Sequence, residues 1–122
     1  MTIRRQRFGK LGESVAISFL KKNGYRILEQ NYRNIFGEID IVAMDGNTIV
    51  FVEVKARRSK QFGNPKYSVT YKKKRKISMV ALDYLKKKSR MNQRARFDVI
   101  SISTYSEGPQ VEIVKNAFEL AY

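Results

Sequence analysis

The run from Gly37 to Lys55, GEIDIVAMDGNTIVFVEVK, restricts what this chain can become more than any other stretch. Two apolar, β-branched segments flank an Asp-Gly pair, the pattern of a β-hairpin. Within those segments sit Glu38, Asp40, Glu53 and Lys55. Charges inside strands of this apolar character are costly to bury unless they are partnered, so their grouping needs a physical cause.

Alternation along a strand puts Phe51, Glu53 and Lys55 on one face and Val50, Val52 and Val54 on the other. On the preceding strand Glu38, Asp40 and Val42 share a face. A two-residue loop at Asp45-Gly46 sets Asp40 opposite Phe51, and one at Gly46-Asn47 sets it opposite Glu53. Either register is expected to gather Glu38, Asp40, Glu53 and Lys55 on one face. A plain three-residue loop would separate Asp40 from Glu53.

The composition narrows the chemistry. A chain of 122 residues without cysteine or histidine has the length of a single domain, 1–122, but neither thiolate nor imidazole catalysis nor a Cys/His zinc site. Carboxylates, lysines, tyrosines or a bound hard cation must do any catalytic work. The N-terminus lacks a signal peptide's apolar core and no apolar run reaches membrane-spanning length, so a cytoplasmic location is expected.

Charge is distributed unevenly. The net charge is +14, and residues 55–90 hold fourteen Lys/Arg against one acid, Asp83. Residues 28–54 hold five acids and one base, Arg33. A small acidic centre inside a basic chain suits an enzyme that approaches a polyanion, with nucleic acid the first candidate partner. Solvated helix faces are the plainer account of the lysines.

Helical spacing at Phe8, Leu11, Val15, Ala16, Phe19 and Leu20 predicts a first helix ending at Asn23-Gly24. Gly12, Ala16 and Leu20 form a side on which this helix can approach a sheet closely. Glu13 flanks that side, and periodicity alone reads it as a solvated glutamate. Tyr25–Arg33 reads as a strand, and 59–66 as a loop around Gly63, Asn64 and Pro65. A second helix spans about Lys72–Lys88, followed by strands at Arg96–Ser103 and Val111–Val114. The tail 116–122 is apolar enough to pack on the body. The order αβββαββ implies an α/β fold, a central mixed sheet flanked by helices.

Clustered carboxylates repel, and a divalent cation would relieve that repulsion. Oxygen-only ligands suit Mg²⁺ or Mn²⁺, with no small-molecule cofactor expected. Asp40 and Glu53, with Glu38 beside them, are the candidate metal ligands. Lys55 would position water or neutralise charge on a phosphate. A Glu-Lys-Asp salt-bridge network would satisfy the same charges without a metal. The basic run Lys72, Lys73, Lys74, Arg75, Lys76 opens the second helix, where cations oppose the helix dipole, so it is expected to serve a partner such as a phosphate backbone. Lys86–Lys88 and Arg90 suit a helix C-terminus as solvated charges. Arg4, Arg5 and Arg7 form a basic arm, and Tyr67 and Tyr71 beside the lysines read as aromatics at the edge of the core, with stacking on exposed bases as the alternative.

Asp40 followed by Glu53-Val54-Lys55 resembles the PD-(D/E)xK signature of restriction-endonuclease-like nucleases, with Ile39 in place of the signature's proline. Gly12-Glu13 with Ala16, Asn31-Tyr32-Arg33, GEIDIVA, FVEVKARR, the Val-Thr-x-x-Lys run ending at Lys73, and Arg96-Phe97-Asp98 together resemble the YraN-like uncharacterised bacterial proteins over nearly the whole chain. The pattern is similar in outline to archaeal Holliday-junction resolvases. The resemblance implies a restriction-endonuclease-like core and a Mg²⁺-dependent endonuclease acting on DNA, with branched or structured DNA as a candidate substrate. It also implies that Glu13 joins the metal or water ligands and that Arg57 and Lys73 lie near the phosphate path. The alternatives are a nucleic-acid-binding module that retains the fold without turnover, and a protein docking on an anionic membrane. The last leaves the carboxylates unexplained.

Overall fold

A computed structural model describes residues 3–57, 69–103 and 110–119. For residues 3–9 and Arg57 it describes the backbone alone. The expected loop at 59–66, Tyr67, the side chains of Arg4, Arg5 and Arg7, and the side chain of Arg57 thus lie outside the described part.

Helix α1 covers Ile3–Lys22 and buries Ala16 and Leu20. It stops at Gly24, whose φ of 84° lets Tyr25 N–H donate to Leu20 O at 2.9 Å and Gly24 N–H to Lys21 O at 3.1 Å. This paired closure satisfies carbonyls that a helix end otherwise orphans. Three strands follow, β1 (Arg26–Asn34), β2 (Gly37–Asp45) and β3 (Thr48–Arg57). Helix α2 (Tyr71–Lys87) leads to β4 (Ala95–Ser103) and β5 (Gln110–Phe118). Thr70 caps α2, its hydroxyl accepting from Lys73 N–H at 3.2 Å. The apolar tail enters the fold as the end of β5, where Ala117 and Phe118 are buried.

The five strands form one sheet in the order β1-β2-β3-β4-β5. β3 and β4 are parallel, joined by the α2 crossover, and the other neighbours are antiparallel. Each sheet face carries its own core. On one, Val42, Met44, Phe51 and Phe97 meet Ile77, Val80 and Tyr84 of α2. On the other, Ile41, Ala43, Val50, Val52 and Ile100 meet Ala16 and Leu20 of α1. The α/β architecture and the order αβββαββ are those expected from the sequence. Close approach of α1 is also realised: a Cβ added at Gly12 would stand 3.2 Å from the Ala56 Cβ.

The hairpin register resolves the choice of loop. Asp45 pairs with Thr48, leaving Gly46-Asn47 as a two-residue loop, and Gly46 has φ 60°. Glycine at the first loop position with positive φ fits a hairpin turn whose twist matches the strands. Among the described residues no helix is long and apolar enough to cross a membrane.

Candidate active site

The β2–β3 ladder ends at Ile41 opposite Val52. One step further along that register, Asp40 faces Glu53. Here a side chain replaces the backbone ladder: Val54 N–H donates to Asp40 Oδ2 at 2.8 Å. Glu53 and Lys55 extend from the face that Phe51 gives to α2. There Glu53, buried to 5% exposure, meets Lys73 of α2 at 2.8 Å and Lys55 at 3.8 Å.

Glu38 departs from the single-face expectation. Ile39 enters the core under α2, whereas Ile41, two residues on, enters the core under α1. Strict alternation would have sent both the same way. The break falls at Asp40 and at Asn31, the β1 residue between the registered pairs Gln30–Ile41 and Tyr32–Ile39. Asn31 has φ 51°, a left-handed conformation that asparagine tolerates better than most residues. The backbone turn at Asn31 lets both strands change face together. Glu38 is consequently bound by Arg33 at 2.5 Å rather than stacked with Asp40 and Glu53.

Asn31 also connects the strands to α1. With its amide nitrogen turned toward the carboxylates, it donates to Glu13 at 3.2 Å and Glu38 at 3.1 Å, the orientation that gives both acids a donor. Glu13 is thus a half-buried, partnered side chain rather than a freely solvated one. Asp40 stands between the two groups, with Glu53, Lys73 and Lys55 on one side and Glu13, Asn31 and Glu38 on the other.

The electrostatics follow from this placement. Burial, then the charge of Glu53 opposite, push the Asp40 carboxyl up to about 7, with Glu13 adding to the rise. The Val54 amide and Lys73 oppose the shift without cancelling it. Burial and the neighbouring Lys73 ammonium hold Lys55 below the usual lysine range, although Glu53 and Asp40 pull the other way. For Lys73, burial favours the neutral form, but its hydrogen bond and charge attraction to Glu53 win and raise it. Among the described residues, no three carboxylates are grouped closely enough to hold a metal ion by themselves.

Lys73, expected along a phosphate path, is therefore committed to Glu53, while Lys72, Arg75 and Lys76 remain exposed on α2. The roles of Asn31 and Arg33 in holding Glu13 and Glu38 were not legible from periodicity. Polar residues at alternate and adjacent positions of β1 were the one local sign that this strand does not alternate cleanly.

The family model "Uncharacterised protein family UPF0102" matches residues 12–102. A UPF0102 protein of Syntrophus aciditrophicus is 55% identical over 95% of this chain and 91% of its own. One of Geobacter metallireducens is 51% identical over the full length of both. Among solved structures, SfsA of Pyrococcus furiosus, in complex with Ca²⁺, aligns with TM-score 0.42 and 14% identity. That alignment covers 91% of this chain, and the chain spans 62% of the SfsA chain. The family model's match spans Glu13, the hairpin and Lys73, and the chain belongs to the UPF0102 family.

Proposed function

We propose that this protein is a divalent-metal-dependent nuclease that hydrolyses phosphodiester bonds of DNA at Asp40, Glu53 and Lys55. One observation carries the reading: Asp40 faces Glu53 across the end of a ladder, and its carboxyl is raised to about 7. A buried acid held there lacks enough local positive charge, even with two lysines nearby. The donor set is all oxygen, which fits Mg²⁺ or Mn²⁺. Mg²⁺ is commonly held by one or two carboxylates, waters and substrate phosphate, so a third carboxylate ligand is not required.

Asp40 and Glu53 would hold the ion, with Glu13 adding negative potential at Asp40. A bound dication would polarise a phosphate oxygen and favour hydroxide over water. Lys55 places a cation 3.8 Å from Glu53 on the same strand, where it can orient a water and offset charge building on a phosphate. Lys73, 2.8 Å from Glu53, holds that carboxylate in place. Lys72, Arg75 and Lys76 supply the phosphate-facing charge of α2, with Arg57 at the end of β3.

A second reading rests on the same ion pairs. Glu53 is compensated by Lys73 and Lys55 without any metal, so the fold can serve as a nucleic-acid-binding module without turnover. Cleavage separates the two. With Mg²⁺ or Mn²⁺, labelled duplex, single-stranded and branched DNA should be cut by the native protein. Asp40→Ala and Glu53→Ala should each reduce the rate by roughly a hundredfold or more while far-UV circular dichroism stays unchanged. Inertness of the native protein on every substrate with both metals would sink the enzymatic reading.

A further inference from the structure

The turn between β1 and β2 carries Ile35 and Phe36, where turn geometry asks only for small polar residues. Ile35 is 92% exposed. Single exposed apolar residues are ordinary, but here the exposure continues onto the neighbouring helix. Phe36, Tyr71 and Met79 line a cleft of about 350 Å³ whose remaining walls are Lys72, Arg75 and Lys76. Those three cations form no ion pair with any described acid, and the first turn of α2 contains no acidic residue.

A second cleft, of about 410 Å³, shares Lys72 and Lys76 with the first and continues to Glu38, Thr70 and Lys73. Lys73 in turn touches Glu53. Moving inward, the surface presents an apolar slot, then cations, then the carboxylates. That sequence is complementary to one nucleotide: a base, its phosphate, and the bond under attack.

We propose that the β1–β2 tip and the outer side of α2 dock an unpaired nucleobase beside the carboxylate site, so that the preferred ligand is nucleic acid with unstacked bases. The proposal rests on the nuclease reading for the place of the phosphate and extends it to substrate class. A base inside a continuous duplex keeps both faces stacked and cannot enter the slot. An unpaired base can stack on Phe36 or Tyr71 while Lys72 and Lys76 hold its phosphate. Ile35, exposed next to Phe36 at the same tip, offers an apolar wedge, a device that proteins use to part stacked bases.

Fluorescence anisotropy without divalent metal tests this by binding alone. The probes are a DNA duplex bearing a short single-stranded flap and a fully paired duplex with the same number of phosphates. The native protein should favour the flap by roughly tenfold, the scale of one stacked base. Ile35→Ser/Phe36→Ser, polar changes at an exposed turn, should bring the ratio close to one and leave the salt dependence of duplex binding unchanged. Lys72→Ala/Lys76→Ala should weaken both probes alike and lower the salt slope by about two. A native ratio of one, or a ratio that survives the tip substitutions, overturns the proposal. So does tip-dependent binding to phosphatidylglycerol vesicles, or a tip-dependent dimer in light scattering, in place of a flap preference. Flap preference without metal-dependent cleavage would sustain the docking surface and reject the nuclease, and cleavage without preference would do the reverse.

Discussion

Asp40 is placed where two strands stop pairing, and its proton is bound more tightly in the folded chain than in the unfolded one. Its folded pKa of about 7 lies above the ordinary aspartate value of 3.8. The folded state therefore carries the extra proton between these limits, so Asp40's contribution to stability is complete below pH 4 and is lost as pH rises through 7. Asp40→Asn keeps a neutral oxygen for the Val54 amide and removes this titration. In urea denaturation the variant should gain on the native protein as pH rises from about 4 to 8, reaching about 4 kcal/mol. Added Mg²⁺ should stabilise the native protein at pH 8 and not the variant, giving a metal readout independent of turnover. Lys73 is the second residue with a clear test. Lys73→Met leaves buried Glu53 with Lys55 alone, and half-exposure of Lys73 limits the cost to about 1–2 kcal/mol. Combining it with Glu53→Gln should recover much of that loss in a double-mutant cycle.

At the scale of elements, α1 owes its position to a missing side chain. A helix approaches β3 this closely only because Gly12 has no Cβ to meet Ala56. Gly12→Ala adds helix propensity but crowds a rigid strand methyl, so the two effects should leave stability within about 1 kcal/mol of native. Gly12→Val adds bulk without that gain and should cost about 2 kcal/mol, measured by chemical denaturation. Because Glu13 rides on the same turn, displacing the helix should also weaken its bond to Asn31. The helices were legible because each repeats its apolar residues on one side: Ala16 and Leu20 on α1, Ile77, Ala81 and Tyr84 on α2. The hairpin was legible, while the parity of its loop and the choice of Gly46-Asn47 were not. Both registers bury the same alternating residues, and only the paired strands distinguish them.

Across the whole molecule, a second charged network ties the sheet together away from Glu53 and Lys55. Arg96 on β4 donates through Nε to Asp98 at 3.1 Å and through Nη2 to Asp45 at 2.7 Å and the Tyr25 hydroxyl at 2.8 Å. Asp98 is fully buried and also accepts from Asn116 N–H at 2.8 Å. One guanidinium thus joins Tyr25 just before β1, the end of β2, and β4, and through Asp98 reaches β5. Arg96→Met strands a buried carboxylate and should cost about 3–5 kcal/mol in urea unfolding. Adding Asp98→Asn should restore part of it. Below its lowered melting temperature the Arg96→Met protein should keep the native affinity for DNA, because the network supports the sheet rather than the proposed site.

The amino-acid sequence by itself determined the helices, the strands and their order, and it made the convergence of Asp40, Glu53 and Lys55 depend on an even hairpin loop. Those features depend on periodicity and turn chemistry, which act over a few neighbouring residues. Tertiary structure decided which charges meet. Lys73 reaches Glu53 because the α2 crossover brings its first turn to the site, and although the family resemblance singled Lys73 out, periodicity does not distinguish it from Lys72 or Lys74. Glu38 leaves the Asp40 face because Asn31, on another strand, takes a left-handed turn that carries both strands across. Partner choice between distant residues follows from packing and backbone geometry together. The carboxylates of the hairpin and Lys55 were visible in the chain, and the pairing of Lys73 with Glu53 and the final facing of Glu38 emerged only in the folded structure.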